Sequence, residues 1–469
     1  MTTIDSLPDD VLLSIFKSPV HGGDTRTESY RAWQPLVHVC RRWRSLIFGS
    51  PGHLHLRLVC TTRTPVRDAL DIWPSLPLVI VYEGRLTGNV DNIIAGLERT
   101  DRVRETHLIG VRSSDSEIIL AALQQPFPEL RFLWVGLDDK IGTVPFVPDS
   151  FLGGSAPHLE VLMLTGVLFP GLLKLLLSAT HLVDLRLISI PHSGYIPPDM
   201  MVTVLSMLTR LSSLILTFAS PRSCPNRESR RPPPSIRSFF SALSNFHFGG
   251  VSEYLEDLLA CIDAPQLRNL RITFFNDIVF DTPQLIQFIG RTPVSRALGK
   301  AHIAFWGHGA DVNFSSQKSG YGFGPFRVGI LCRGSDWQVS SLEQVCTSCL
   351  LPSSKLEDLY IHKHPYQRPD WKGNIENGLW LKLLQPFTAV KNLYLSEEFA
   401  IRIAPALQEL VGERTTEVLP AMQNIFVEGL ESSGPVQEGI RQLVAARQVA
   451  SRPIAVSRWA NSEKEMGYH

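Results

Sequence analysis

The feature that most constrains this chain is a short pattern that keeps returning: an apolar residue, two spacers, an apolar residue, one spacer, an apolar residue. It is clearest as HLEVLML from His158, HLVDLRL from His181, RLSSLIL from Arg210, QLRNLRI from Gln266 and KLEDLYI from Lys355. The closing alternation has the period of a strand, whose successive side chains point to opposite faces. The last apolar position of each copy gives anchors at Leu108, Val135, Leu164, Leu187, Leu216, Phe248, Ile272, Ile303, Ile330, Ile361, Leu395 and Val427. Eleven steps separate them, averaging 29 residues and ranging from 23 to 34. No single unit of that size buries its apolar face alone, so the units must stack on one another.

Between the anchors lie segments with helical spacing and helix-start residues: Glu117 to Leu123, Asp199 to Leu208, Glu253 to Cys261, Pro283 to Ile289 and Leu379 to Leu384. Alternating strands and helices predict an α/β chain with a parallel sheet. The average step sits at the top of the range of about 20–29 residues that marks leucine-rich repeats. The expected fold over 53–435 is therefore an irregular leucine-rich-repeat solenoid, with the parallel sheet on its concave face and helices on its convex face. A capping helix and tail are expected over 436–469. At 469 residues the chain is too long for one compact core of roughly 250–300 residues, which fits an elongated array. The stretch from Ser220 to Arg237 carries five arginines and five prolines and almost nothing to pack, so it reads as an exposed loop.

The first fifty residues follow a different rule. Ser6, Pro8, Asp9 and Asp10 are helix-start chemistry, and Val11, Leu12, Ile15 and Phe16 recur at helical spacing, predicting a helix from about Pro8 to Phe16. A second helix is expected from about Trp33 to Phe48, ended by Gly49, Ser50 and Pro51. Leu54, Leu56 and Leu58 then alternate with His53, His55 and Arg57, as in a strand. Residues 1–52 thus form a helical head. Two short helices cannot hide this much apolar surface from water against each other, so part of it is expected to meet another domain or another protein.

Composition and local motifs narrow the function. Forty-five basic and 45 acidic residues cancel, so no overall field draws the chain to nucleic acid or to a membrane surface. No uninterrupted apolar run reaches membrane-spanning length, and the N-terminus has no basic, apolar and small-residue sequence of a secretory signal. Seven unevenly spaced cysteines do not resemble a secreted disulfide framework, so a cytoplasmic or nuclear setting is expected. Cys346 and Cys349 form a lone CxxC, but with Leu342 and Val345 they fall on one apolar helix face, where thiols act as small hydrophobes. The pairs His362/His364 and His53/His55 lack a carboxylate or thiol partner, and the glycines at 320, 322 and 324 read as a turn. No GxSxG, HExxH or Walker-type sequence occurs. No enzyme activity, catalytic residue, cofactor or metal site is expected.

IDSLPDDVLLSIF from Ile4 and WQPLVHVCRRWRSLIFGSP from Trp33 resemble the F-box, a helical motif that docks on the Skp-type adaptor of cullin-RING ubiquitin ligases. With repeats behind it, the chain is similar to the F-box proteins with divergent leucine-rich repeats found in fungi. Between Phe16 and Trp33 it departs from the motif by a longer polar loop. The resemblance implies adaptor contacts from Leu7, Pro8, Leu12, Ile15 and Phe16, with Leu36, Val39, Cys40 and Trp43 divided between adaptor contact and internal core. It further implies a substrate-recognition subunit of an SCF-type ligase whose partners are the Skp-type adaptor, the cullin scaffold and a target protein. The alternative is a non-catalytic repeat scaffold or binding module outside a ligase. In either reading the target is expected on the sheet face. There Met163, Arg186, Ile215, Arg271, Tyr360 and Tyr394 lie between the apolar anchors, aromatic, apolar and cationic where a merely solvated strand favours Thr, Lys and Glu.

Overall fold

The structure, a computed structural model, describes residues 4, 7–21, 32–85, 88–137, 147–167, 170–223, 237–275, 281–294, 298–316, 324–349, 356–364, 371, 375–410, 412–430 and 434–459. The chain divides into two compact units, Met1–Tyr195 with Thr203–Leu211, and Ile196–Val202 with Ser212–His469. The head therefore shares a unit with the first repeats.

The first unit opens with α1 (Asp9–His21), a 3-10 turn at Pro35–His38 and α2 (Arg41–Gly49). The single helix expected from Trp33 is broken because Cys40 is extended (φ −155°, ψ 169°). Its Sγ accepts the Trp43 N–H at 3.5 Å, so the thiol caps α2. The strand expected from Leu54 is a turn: His55 has φ 51°, and Leu54 and Leu56 are buried without joining the sheet. The repeats then run β1 (Leu58–Thr61), α3 (Val66–Ile72), β2 (Leu78–Glu83), α4 (Asp91–Leu97), β3 (Val103–Val111), α5 (Ser113–Ala122), β4 (Phe132–Leu137), β5 (Val161–Thr165), α6 (Leu172–Ser178) and β6 (Asp184–Ile190). These six strands pair in sequence order and all are parallel. The anchors Leu108, Val135, Leu164 and Leu187 are direct register partners, each no more than 3% exposed. At Gly110 the register shifts, and its φ of +61° lets β3 bulge there at little steric cost.

Helix α7 (Pro198–Ser206) contributes residues to both units. The second unit contains β7 (Ser213–Phe218), β8 (Ser238–Phe239), β9 (Asn245–Gly250), α8 (Ser252–Ala260), β10 (Ile262–Asp263), β11 (Asn269–Phe275) and α9 (Pro283–Arg291). There follow β12 (Lys300–Trp306), β13 (Gly309–Ser315), β14 (Phe326–Leu331), α10 (Ser335–Cys349), β15 (Asp358–Lys363), α11 (Asn377–Leu384), β16 (Asn392–Leu395), α12 (Glu397–Gln408), β17 (Asn424–Glu428), α13 (Pro435–Val449) and β18 (Ala455–Trp459). Successive helices pack on one another, α8 on α9 and α10 through α13 in turn. Phe305 brings its ring within 6 Å of Trp371, Trp380 and Phe399 beneath them.

All twelve anchors lie on strands and are buried. Their order in space is not the simple one. The main sheet of this unit runs β7-β9-β11-β14-β13-β12-β15-β16-β17-β18, and β13 is antiparallel to both neighbours. Ile303 and Ile330 are therefore not successive rungs: Ile303 pairs Ile361, while Ile272 pairs Val328. The cause is a hairpin at Gly307–His308, where Trp306 faces Gly309. A Cβ at Gly309 would come within 2.3 Å of the Ile330 carbonyl oxygen, so only glycine admits this approach. The segment from 436, expected as a capping helix and tail, adds α13 and then β18, a further strand parallel to β17. Cys346, Leu342 and Val345 are buried on α10 as their spacing implies. The basic loop is described only at 220–223 and 237, and of the three clustered glycines only Gly324 is described.

Candidate binding faces

In the head, α1 and α2 close on a small core. Leu12, Phe16, Val37 and Ile47 are at most 1% exposed, and Phe16 packs at a tilt against Trp43, ring centroids 4.6 Å apart. Arg42 clamps the start of α1, donating to the Leu7 carbonyl at 2.6 Å and to Asp9 at 2.7 Å. Arg44 donates to the Val37 carbonyl at 2.9 Å. Trp33 is buried against Phe48 and Trp73 and donates its indole N–H to the Arg57 carbonyl, tying the head to the first repeat. Two residues assigned to adaptor contact by the resemblance, Leu12 and Phe16, are thus turned inward into the head's small core, and Trp43, divided between adaptor contact and core, lies on the core side. Leu7, Leu36 and Cys40 are partly exposed, and Pro8, Ile15 and Val39 are exposed. Val11, one turn before Ile15, joins them at 38% exposure. Its place at i−4 from Ile15 is the signal that could have found it.

The sheet face of the first unit forms a cleft of about 810 Å³. Its rung is Val81, His107, Trp134, Met163 and Arg186, each the register partner of the next. Four of the charged groups along it pair among themselves or with a neighbour: Glu105 pairs with Arg57 and faces His107 at 3.5 Å, and Arg186 grips Asp184 at 2.6 Å, while Glu83 adds an exposed carboxylate. His107 stacks on Phe132 at 4.4 Å. The cleft therefore presents aromatic and apolar surface between largely paired charges and one exposed carboxylate, Glu83, the composition of a pocket that binds mainly by shape and burial. Met163 and Arg186 are among its lining residues; Trp134 and His107 stand at the same place, one residue before the anchors Val135 and Leu108, and that position is the signal that could have found them.

In the second unit the corresponding rung runs Ile215, His247, Arg271, Arg327, Asn313, His302, Tyr360, Tyr394, Phe426 and Ser457. Ile215, Arg271, Tyr360 and Tyr394, four of the expected target-face residues, lie on this one line. From His302 to Phe426 the rings stack at 4.3, 4.2 and 4.5 Å, with planes within 8° of parallel. Trp459 meets Tyr394 edge-on at 5.7 Å. Tyr360 is only 9% exposed because rings cover both its faces, so Tyr394 and Phe426 carry the accessible part of the ladder. Beside it runs an amide ladder, Asn424 to Asn392 at 2.7 Å and Asn392 to Asp358 at 2.6 Å. Both fix register by cross-strand pairs.

Burial leaves two histidines on this rung neutral. His302 is pushed down to about 3 by desolvation, with His362 and Lys300 adding repulsion. His247 is pushed down to about 4 by desolvation and then by Arg271 and Arg327. Unfolded histidines titrate near 6.5, so below that pH the unfolded chain binds more protons than the folded one. Their contribution to stability is complete above pH 6.5 and is lost as pH falls toward 4 and 3. Between pH 6 and pH 5 we expect unfolding free energy to drop with a slope approaching about 1.4 kcal/mol per pH unit for each histidine. Urea midpoints across that interval check it, and a His247→Asn/His302→Asn variant should show a flatter profile.

Among the described residues no group of three or more His, Cys, Asp or Glu side chains could hold a metal ion, and no helix is long and apolar enough to cross a membrane. Comparison with solved structures finds the leucine-rich repeat-containing protein LegL7 from Legionella pneumophila at 12% identity and a TM-score of 0.29, covering 75% of this chain and 93% of that one. No family model matches the chain, and no curated protein matches it. By its own geometry the chain is a mixed α/β strand–helix repeat protein with a helical head.

Proposed function

We propose that this chain is a non-catalytic substrate receptor: its head docks on a Skp-type adaptor in a cullin-RING ubiquitin ligase, and its sheet faces hold a target protein for ubiquitylation. The observation that carries the docking half is the exposed apolar set on the head. Val11, Ile15 and Val39 are 38%, 44% and 59% exposed while the head's own core is already filled by Leu12, Phe16, Val37 and Ile47. Apolar side chains left over after a core is complete favour burial against a partner, at about 25 cal/mol for each Å² removed from water. The resemblance of IDSLPDDVLLSIF and VCRRWR to the F-box supplies the partner's class. Holding target and ubiquitin-charged enzyme on one scaffold raises their local concentration, so the receptor needs no chemistry of its own.

Co-expression of the full chain with a Skp-type adaptor and cullin tests this. Co-elution on gel filtration with micromolar affinity or better, about −8 kcal/mol, is the expected result. A full chain that stays monomeric beside both proteins overturns the receptor reading and leaves a repeat binding module acting outside a ligase.

A further inference from the structure

We infer that the cleft on the sheet face of the first unit takes an arginine side chain of the target protein, between the Glu83 carboxylate and the Trp134 ring. This rests on the target-binding role proposed for the sheet faces and deepens it by naming the group that this one recognises.

Three carboxylates line the cleft, and the chain itself answers two of them: Glu105 pairs with Arg57, and Asp184 holds Arg186. Glu83 is different. It is exposed at the end of β2, and its carboxylate makes no hydrogen bond or ion pair among the described residues. Arg112, the basic residue just beyond β3, donates from Nε and Nη2 to the Gly84 carbonyl at 3.0 and 2.8 Å. His107 turns its Nε2 toward Glu105, away from the Glu83 end of the cleft. With the paired groups neutral, one negative charge is left over at the β2 edge, beside aromatic and apolar surface. Its complement is a cation carried on an apolar stem.

The backbone brings Glu83 and Trp134 to the same level of the sheet. Ile109 is the register partner of Glu83, and it lies between the pairs Leu108–Val135 and Val111–Leu137, level with Gly136. Gly136 has no side chain to fill that level, and Trp134 leans over it: a Cβ on Gly136 would stand 3.5 Å from the indole Nε1. Glu83 and the half-buried Trp134 ring therefore flank Ile109, two strand steps or about 10 Å apart at their backbones. A guanidinium lying over Ile109 closes that gap. Its planar fork donates two parallel bonds of about 2.7–2.9 Å to the carboxylate, and its charge lies within about 6 Å of the ring centroid. An ammonium has no plane to lay on the ring, so arginine is favoured over lysine. The indole N–H donates to no acceptor among the described residues, and it is placed to meet a carbonyl of the incoming backbone.

Fluorescence anisotropy on the purified full chain tests the assignment without any adaptor, so failure of adaptor docking and failure of this inference remain separate results. The probes are fluorescein-labelled Gly-Ser-Leu-X-Leu-Ser-Gly peptides in which X is arginine, lysine, glutamate or citrulline, the neutral isostere of arginine. The arginine peptide should bind more tightly than the lysine peptide and roughly tenfold or more tightly than the citrulline peptide, and added salt should weaken it. E83Q should bring the arginine peptide down to the citrulline level, and E83K should turn the preference to the glutamate peptide. W134L should weaken the arginine and lysine peptides together. Glu83 is exposed, so E83Q should keep the wild-type circular dichroism spectrum, and it decides the result even where W134L fails to fold. Equal binding of arginine and citrulline peptides, lysine bound as tightly as arginine, an arginine affinity that E83Q leaves unchanged, or no binding of the arginine peptide overturns the inference. Binding that W134L weakens but that ignores charge overturns it too, while leaving the cleft as a target site.

Discussion

An Ile15→Asp variant will fold and will fail to bind the Skp-type adaptor. Ile15 is 44% exposed on α1, one turn after Val11, so a carboxylate there meets water in the free protein and disturbs little of the head's core. Against an apolar partner surface the same carboxylate must be stripped of water without a partner charge, which costs several kcal/mol. Thermal unfolding of the variant should match wild type within a degree or two. Pull-down should fall below detection, a loss of at least a hundredfold for about 3 kcal/mol. The contrasting variant is Phe16→Asp, whose ring is 1% exposed against Trp43. It should lose binding and head stability together, since it puts a charge into the core. Binding by Ile15→Asp at wild-type strength would mean that α1 is not the docking surface.

The strand anchors were legible because one physical signal, apolar side chains at every second position, repeats at each strand whatever the intervening helix does. Leu164 and Leu187 became register partners as their spacing implies. The antiparallel β13 was not legible. GADVNFS alternates like any strand, and what reverses it is the hairpin at Gly307–His308 together with the close approach that Gly309 permits, a tertiary fact. The strand expected from Leu54 begins only at Leu58, for a related reason. Alternation is satisfied equally by a turn whose leucines reach the core of the first unit from two directions, and His55 at positive φ supplies that turn. For the binding faces, Arg271 and Tyr394 were readable as unusual residues between anchors. Their relation was not, because Arg327 reaches Arg271's side only through the β14-β13-β12 excursion.

Glu256→Ala should be the most damaging single substitution of a charged residue in the second unit. Glu256 is 4% exposed on α8, and a buried carboxylate is normally expensive. Here its two oxygens accept the backbone N–H groups of Gln284 and Leu285 at 2.8 and 2.9 Å, at the start of α9. Those are among the donors that a helix's first turn cannot satisfy internally, and Thr282 at the N-cap makes no side-chain cap of its own. The carboxylate of one repeat thus caps the helix of the next, and its negative charge also lies at the positive end of the α9 dipole. Alanine leaves two N–H groups without these acceptors, at about 1–3 kcal/mol each, so a loss on the order of 2–5 kcal/mol is expected. Glutamine keeps the volume but turns one acceptor into a donor facing an N–H, and should recover only part of that loss. The exposed neighbour Glu253 is the control: Glu253→Ala should stay within about 0.5 kcal/mol of wild type. Urea denaturation followed by circular dichroism reads all three. A Glu256→Ala midpoint equal to that of Glu253→Ala would show that α9 starts without this cap and that adjacent repeats are coupled through their apolar faces alone.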